Sequence, residues 1–159
     1  MISNSYANRL LNFIVCNTQQ LTVPAKLYLG LCASEPDHAT GAVTSEPTAS
    51  SYDRKVVGQR VEEGESVDTE QVFFGSASSG IVKNGKEIMM KTARTAWGKM
   101  YYWFLSESTK GNAILWGEIY DKNGDLGLQI DAETVPVFYE NDLRASIGVE
   151  LEPPKPDTE

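Results

Sequence analysis

A chain of 159 residues, 41% of them hydrophobic, is long enough to bury one well-packed core and too short for two full ones. Its 14 basic and 22 acidic residues give a net charge of -8 with no basic cluster longer than two, a field that repels phosphate backbones and argues against a nucleic-acid partner. The longest apolar run, "LLNFIVC" at residues 10–16, falls far short of the roughly 20 residues a membrane helix needs. No basic region precedes it as in a secretory leader, so a soluble protein made in the cytoplasm is expected.

In chain order, "SNSYANRLLNFIVCNT" offers a Ser3 or Asn4 cap and then Tyr6, Leu10 and Phe13 or Ile14 at helical spacing, which predicts a short amphipathic helix within residues 1–16. A linker ending at Pro24 leads into "AKLYLGLC", where Leu27, Leu29 and Leu31 alternate with Lys26, Tyr28 and Gly30 as in a strand with one buried face. Residues 33–51 are rich in Ser, Thr, Ala, Pro and acidic residues without periodicity, a long excursion of the kind that tends to be functional or mobile. "YDRKVVGQRV" reads as a strand, "EEGESVDTE" as a solvated acidic turn, and "QVFFGSA" as either strand or turn.

The second half is punctuated by turns. Asn84-Gly85 between apolar runs predicts a tight hairpin or local turn, because Asn-Gly supplies the positive φ angles such turns demand. "KMYYWFLSES" and "AILWGEIYD" flank "TKGN" as a second hairpin, "YDKNGDLGLQI" contains another Asn-Gly turn, and "TVPVFYEND" and "LRASIGVELE" read as the last strands. Seven or eight short strands after one helix, with no βαβ alternation, predict a mainly antiparallel β-sandwich, jelly-roll-like, spanning residues 17–151. A Pro-rich charged tail, 152–159, is expected to be disordered.

No motif for catalysis survives inspection. The one histidine, His38, lies in the loop without a nucleophile context, whereas a catalytic base must be held rigidly within reach of its partner. Asp121, Asn123 and Asp125 imitate the start of a calcium loop, but Leu126 stands where that loop needs glycine and Ala132 where it needs glutamate. Cys16 and Cys32 lack metal-site spacing and read as buried free thiols, with a disulfide between them left open. Carboxylate pairs such as Glu62-Glu63 sit in polar sequence, and no phosphate cradle is present, so no catalytic residue, cofactor or metal is expected. Trp97, Trp103 and Trp116 with Tyr101 and Tyr102 offer a sugar-stacking platform, yet alternation sends Tyr101, Trp103 and Leu105 to one face and Tyr102 and Phe104 to the other. Both faces are apolar, as in a central strand or a subunit interface.

The order of these features resembles a family of small tailed-bacteriophage virion proteins, labelled tail fibre or minor structural proteins. In that family a leading helix precedes a "LYVGL-x-TxxP" strand, a "TEP...GYAR" segment, a "WG" strand and a "GN-x-L-x-(W/Y)G" strand. Here Leu27, Tyr28, Leu29, Gly30, Leu31, Ser34 and Pro36 match the first strand motif, and Glu46, Pro47, Tyr52 and Arg54 the second. Trp97, Gly98, Phe104, Gly111, Asn112, Leu115, Trp116 and Gly117 match the later ones. The resemblance runs over residues 3–150, with departures at the charged "NGKEIMMKTAR" and at the Pro-rich ending.

It implies a noncatalytic subunit of a phage virion, on the tail fibre, tail tip or capsid surface, with other virion proteins as partners. The surplus of aromatic residues adds the expectation of a homo-oligomer such as a trimer. The residues expected at partner interfaces are Tyr6, Leu10, Phe13, Ile14, Tyr101 and Trp103, and those of a contact loop are Glu35, Pro36, Asp37 and His38. The competing reading is a carbohydrate- or receptor-binding module that uses the aromatics and loops against a host-surface glycan.

Overall fold

Ser3 has extended backbone and its hydroxyl accepts the N–H of Tyr6 at 3.3 Å, capping a first helix, α1 (Asn4–Leu11). In the computed structural model, which describes residues 1–16, 24–59, 72–147 and 151–155, α1 continues into a π-helical turn, Asn12–Cys16. Among the described residues ten strands follow: β1 (Lys26–Cys32), β2 (Lys55–Gln59), β3 (Ile81–Lys83), β4 (Ile88–Met89) and β5 (Gly98–Met100), then β6 (Tyr102–Ser106), β7 (Ala113–Glu118), β8 (Leu128–Ile130), β9 (Val137–Phe138) and β10 (Arg144–Ser146). The expected linker at 17–23, the acidic turn at 62–70 and the last four residues of the tail lie outside the described residues.

Four strands form an antiparallel sheet in the order β2-β1-β6-β7, and β6 is central, as its two apolar faces require. Leu29, Leu31, Val57, Trp103 and Leu105 line one face. Against them pack three two-stranded ribbons, β3–β10, β4–β9 and β5–β8, which contribute Ile88, Ile130, Phe138 and Ala145 to the same core. The mainly antiparallel β architecture with one short N-terminal helix is therefore present, and its second layer is assembled from ribbons. On the other face Cys32, Phe104, Ala113 and Trp116 make a smaller cluster. Gly30 stands directly opposite Phe104, and a Cβ there would come within 2.2 Å of the Phe104 ring, so the glycine makes the room that ring occupies.

The "TKGN" hairpin forms between β6 and β7. The Asn-Gly turn at 121–124 also forms: Gly124 takes φ +81°, and Asp121 Oδ1 accepts the N–H groups of Asn123 and Asp125 at 2.8 and 2.9 Å. Those bonds hold the Asp121 carboxyl below its ordinary range. Asn84-Gly85 does not close a hairpin, because the arms it joins pair elsewhere, β3 with β10 and β4 with β9. Asn84 is buried instead, donating through its amide to the carbonyls of Lys86 and Tyr139 at 3.0 and 2.6 Å and accepting Leu143 N–H at 2.9 Å. A side chain with two long-range bonds, to Tyr139 and Leu143, overrides the hairpin preference of its dipeptide.

Residues 1–3 run along the outer side of β7: Ile2 bridges Leu115, Ser3 N–H donates to Ile114 O at 3.1 Å, and Trp116 N–H donates to Met1 O at 2.8 Å. At the other end of the chain, Arg144 donates to the carbonyl of Glu152 at 3.0 Å, so the first part of the predicted tail lies against β10.

Candidate functional site

The excursion at 33–51 forms no strand, yet it is fastened over the Phe104 face of the sheet. Arg54 lies buried above the Phe104 ring at 4.7 Å and forks onto Glu46, with Nε to Oε1 at 2.9 Å and Nη2 to Oε2 at 2.7 Å. Its Nη1 donates to Ser106 Oγ and to the carbonyls of Ser108 and Gly111 at 2.8, 3.0 and 2.7 Å, tying the β6–β7 turn to the loop. Tyr52 donates to Glu46 Oε1 at 2.8 Å and accepts Leu31 N–H at 2.9 Å. Burial, with the Glu46 charge beside it, raises the Tyr52 hydroxyl above the usual phenol range, so it stays a donor.

Further along, Ser34 and Ser45 hydroxyls meet at 2.6 Å and Asp37 Oδ1 accepts both Thr40 N–H and Thr40 Oγ1–H at 2.8 Å. The Thr40 bonds hold the Asp37 carboxyl below its ordinary range. Ala113 N–H donates to Gly41 O at 2.7 Å. Gly41 has φ +78°, and a Cβ there would sit 1.9 Å from Ala113 O, so only glycine allows this approach.

Of the contact-loop residues, Pro36 is fully buried, while Glu35, Asp37 and His38 are at the surface. Glu35 and His38 are brought together: Glu35 Oε1 accepts Trp116 Nε1–H at 3.1 Å and lies 3.0 Å from His38 Nε2, and the imidazole stands edge-on to Trp116. Among the described residues no hydroxyl or thiol is bonded to His38, and no group of three or more His, Cys, Asp or Glu side chains could hold a metal ion. Cys16 is exposed and Cys32 buried, and they are not joined. The position of Cys16 differs from the expected buried thiol because it ends the π-helical turn away from the core, whereas burial pushes the Cys32 thiol up to about 12.

The interface set divides. Tyr6 and Leu10 are half-buried, with Arg9 stacked 4.9 Å over Tyr6 and 3.1 Å from Glu107. Tyr101 is half-buried, while Trp103 is 0% exposed and stacked on Phe74, so its area is used inside the chain. Trp97 and Trp116 are buried as well, which leaves no tryptophan face open for sugar stacking. Phe13 and Ile14 are exposed at 45% and 71%, and they are joined by Leu11 at 56% and Val15 at 74%, which the helical-spacing argument passed over. The run "LLNFIVC", apolar at every position but Asn12, was the signal for them.

The Glu46, Tyr52 and Arg54 cluster was equally invisible to periodicity, although all three belong to the motif positions of the resemblance. Among the described residues no helix is long and apolar enough to cross a membrane. Compared with known proteins, residues 1–133 match a family model described as podophage GP4 fiber I protein gp80. A search among curated proteins finds no match.

Proposed function

The chain belongs to the podophage GP4 fiber I protein family, and from that premise we propose that it is a non-enzymatic subunit of a tail fibre that assembles as a homo-oligomer through its N-terminal segment. The observation that carries the structural role is the family match itself, which takes in α1 and strands β1–β8. Assembly is supported by Leu11, Phe13, Ile14 and Val15, four apolar side chains exposed within five residues at the end of a short helix. Exposed apolar area is stabilised by burial at about 25 cal/mol per Å², and clusters of it mark interfaces. The rest of α1 is fixed by main-chain bonds of residues 1–3 to β7 and of Asn4 and Ser5 to the carbonyls of His38 and Ala39, so the apolar end projects from an anchored base.

Deleting residues 1–16 would strip those bonds as well, so substitution is the cleaner test. Light scattering on the full chain is expected to give a defined oligomer, and Phe13→Asp/Ile14→Asp/Val15→Asp is expected to give a folded monomer. A wild-type chain that stays monomeric at high concentration, or a triple variant that assembles unchanged, would overturn this assignment.

A further inference from the structure

Lys83 and Arg144 are directly opposed in the β3–β10 ladder. Like charges facing each other across a ladder weaken it, and among the described residues neither is relieved by an ion pair. Lys122, in the β7–β8 connection, and Lys155, beyond β10, join them on the walls of one open cleft of about 690 Å³, a size common for ligand sites. The carboxylates in this cleft are engaged locally: Asp121 by Asn123 and Asp125 N–H, Asp142 by Tyr139 N–H at 2.7 Å. Four cations against those two carboxylates leave this concavity with a surplus of two positive charges, on a chain whose net charge is -8.

Tyr120, Asp142 and Arg144 also line an adjoining cleft of about 600 Å³, so the two make one groove. This second end is of opposite character, with Glu35, Glu118, Glu152 and Tyr102 on its walls. The Tyr120 hydroxyl donates to Glu118, and burial together with that carboxylate pushes it up to about 12. A polyphosphate or nucleic acid would pair with the cationic end but brings few hydroxyls for the carboxylates and tyrosines of the other. A neutral sugar chain would leave the cations uncompensated. A polymer carrying both acid groups and hydroxyls suits both ends, since carboxylates and tyrosine hydroxyls pair with sugar hydroxyls and the Arg144 fork pairs with a carboxylate.

We propose that this groove binds an acidic polysaccharide, with a sugar carboxylate held by Lys83, Lys122, Arg144 and Lys155 and neighbouring sugar hydroxyls held by Glu118 and Tyr120. Nothing in this assignment depends on how many copies assemble, so it stands or falls separately from the oligomer. The test is calorimetric titration of the full chain at low salt with hexagalacturonate, maltohexaose and linear polyphosphate. Hexagalacturonate is expected to bind most tightly and maltohexaose not at all. Lys83→Glu/Lys122→Glu is expected to weaken hexagalacturonate by about tenfold or more, and Lys26→Glu, exposed and outside both clefts, to leave it unchanged.

Lys83→Glu alone is expected to raise the thermal midpoint while weakening binding, because it turns the opposed pair into an attractive one. Absence of hexagalacturonate binding, equal binding by the double variant, or tighter binding of polyphosphate would overturn the proposal. A lowered midpoint for Lys83→Glu would remove the electrostatic ground on which the site rests.

Discussion

The two faces of the four-stranded sheet are closed by different means. The Trp103 face is covered by ribbons that bring apolar side chains, and its closure scales with the area they remove from water. The Phe104 face is covered by residues 33–51, whose composition holds few large apolar residues and no repeating pattern. That cover depends on side chains that satisfy main-chain groups one at a time, chiefly Arg54, Tyr52 and Ser45. Apolar closure loses stability in proportion to the volume removed. Polar closure loses it in steps, because one missing donor leaves several acceptors dry.

Substitutions on each face can break or sharpen this contrast. Trp103→Ala is expected to cost the most, about 4 kcal/mol, from removal of a fully buried indole. Urea unfolding should show a lower midpoint with an unchanged slope and a loss of protection spread over the whole molecule. Arg54→Ala is expected to cost about 3 kcal/mol, since it strands Glu46 and uncovers the carbonyls of Ser108 and Gly111. Its mark in hydrogen exchange should concentrate in residues 33–51 and the β6–β7 turn. Should Arg54→Met match the wild type in both stability and loop protection, packing on Phe104 rather than hydrogen bonding would be what closes that face. Tyr52→Phe is the smallest change, about 1 kcal/mol, for the lost bond to Glu46 and the unpaired Leu31 N–H, with exchange at Leu31 as the sensitive probe.

What was legible in the sequence follows the same division. The alternation of β6 assigned its two apolar faces correctly, whereas that of β1 picked out the Leu29 and Leu31 face and missed the burial of Gly30 and Cys32 on the other, where small residues leave no hydrophobic imprint. The "TKGN" turn was legible from its own residues. At Asn84-Gly85 the chain makes a local bend and not the alternative hairpin, because the further partners of Asn84 lie at Tyr139 and Leu143, far along the chain. The loop at 33–51 was found as an excursion but not as a fixed cover, since its anchor reaches it from Arg54 and its close approach to β7 rests on Gly41 and Ala113 together. The cationic cleft had no linear signal at all: Lys83, Lys122, Arg144 and Lys155 are scattered through a sequence whose total charge points the other way.

Residues 1–3, laid along β7, have one more consequence. A sheet edge with free amides and carbonyls is a template on which another chain can add as a further strand, and repeated addition has no natural end. On the β7 side this protein occupies its own template. Copies approaching from there find the main chain of residues 114–116 already engaged, so on this side they have to meet through side chains and not by adding a strand.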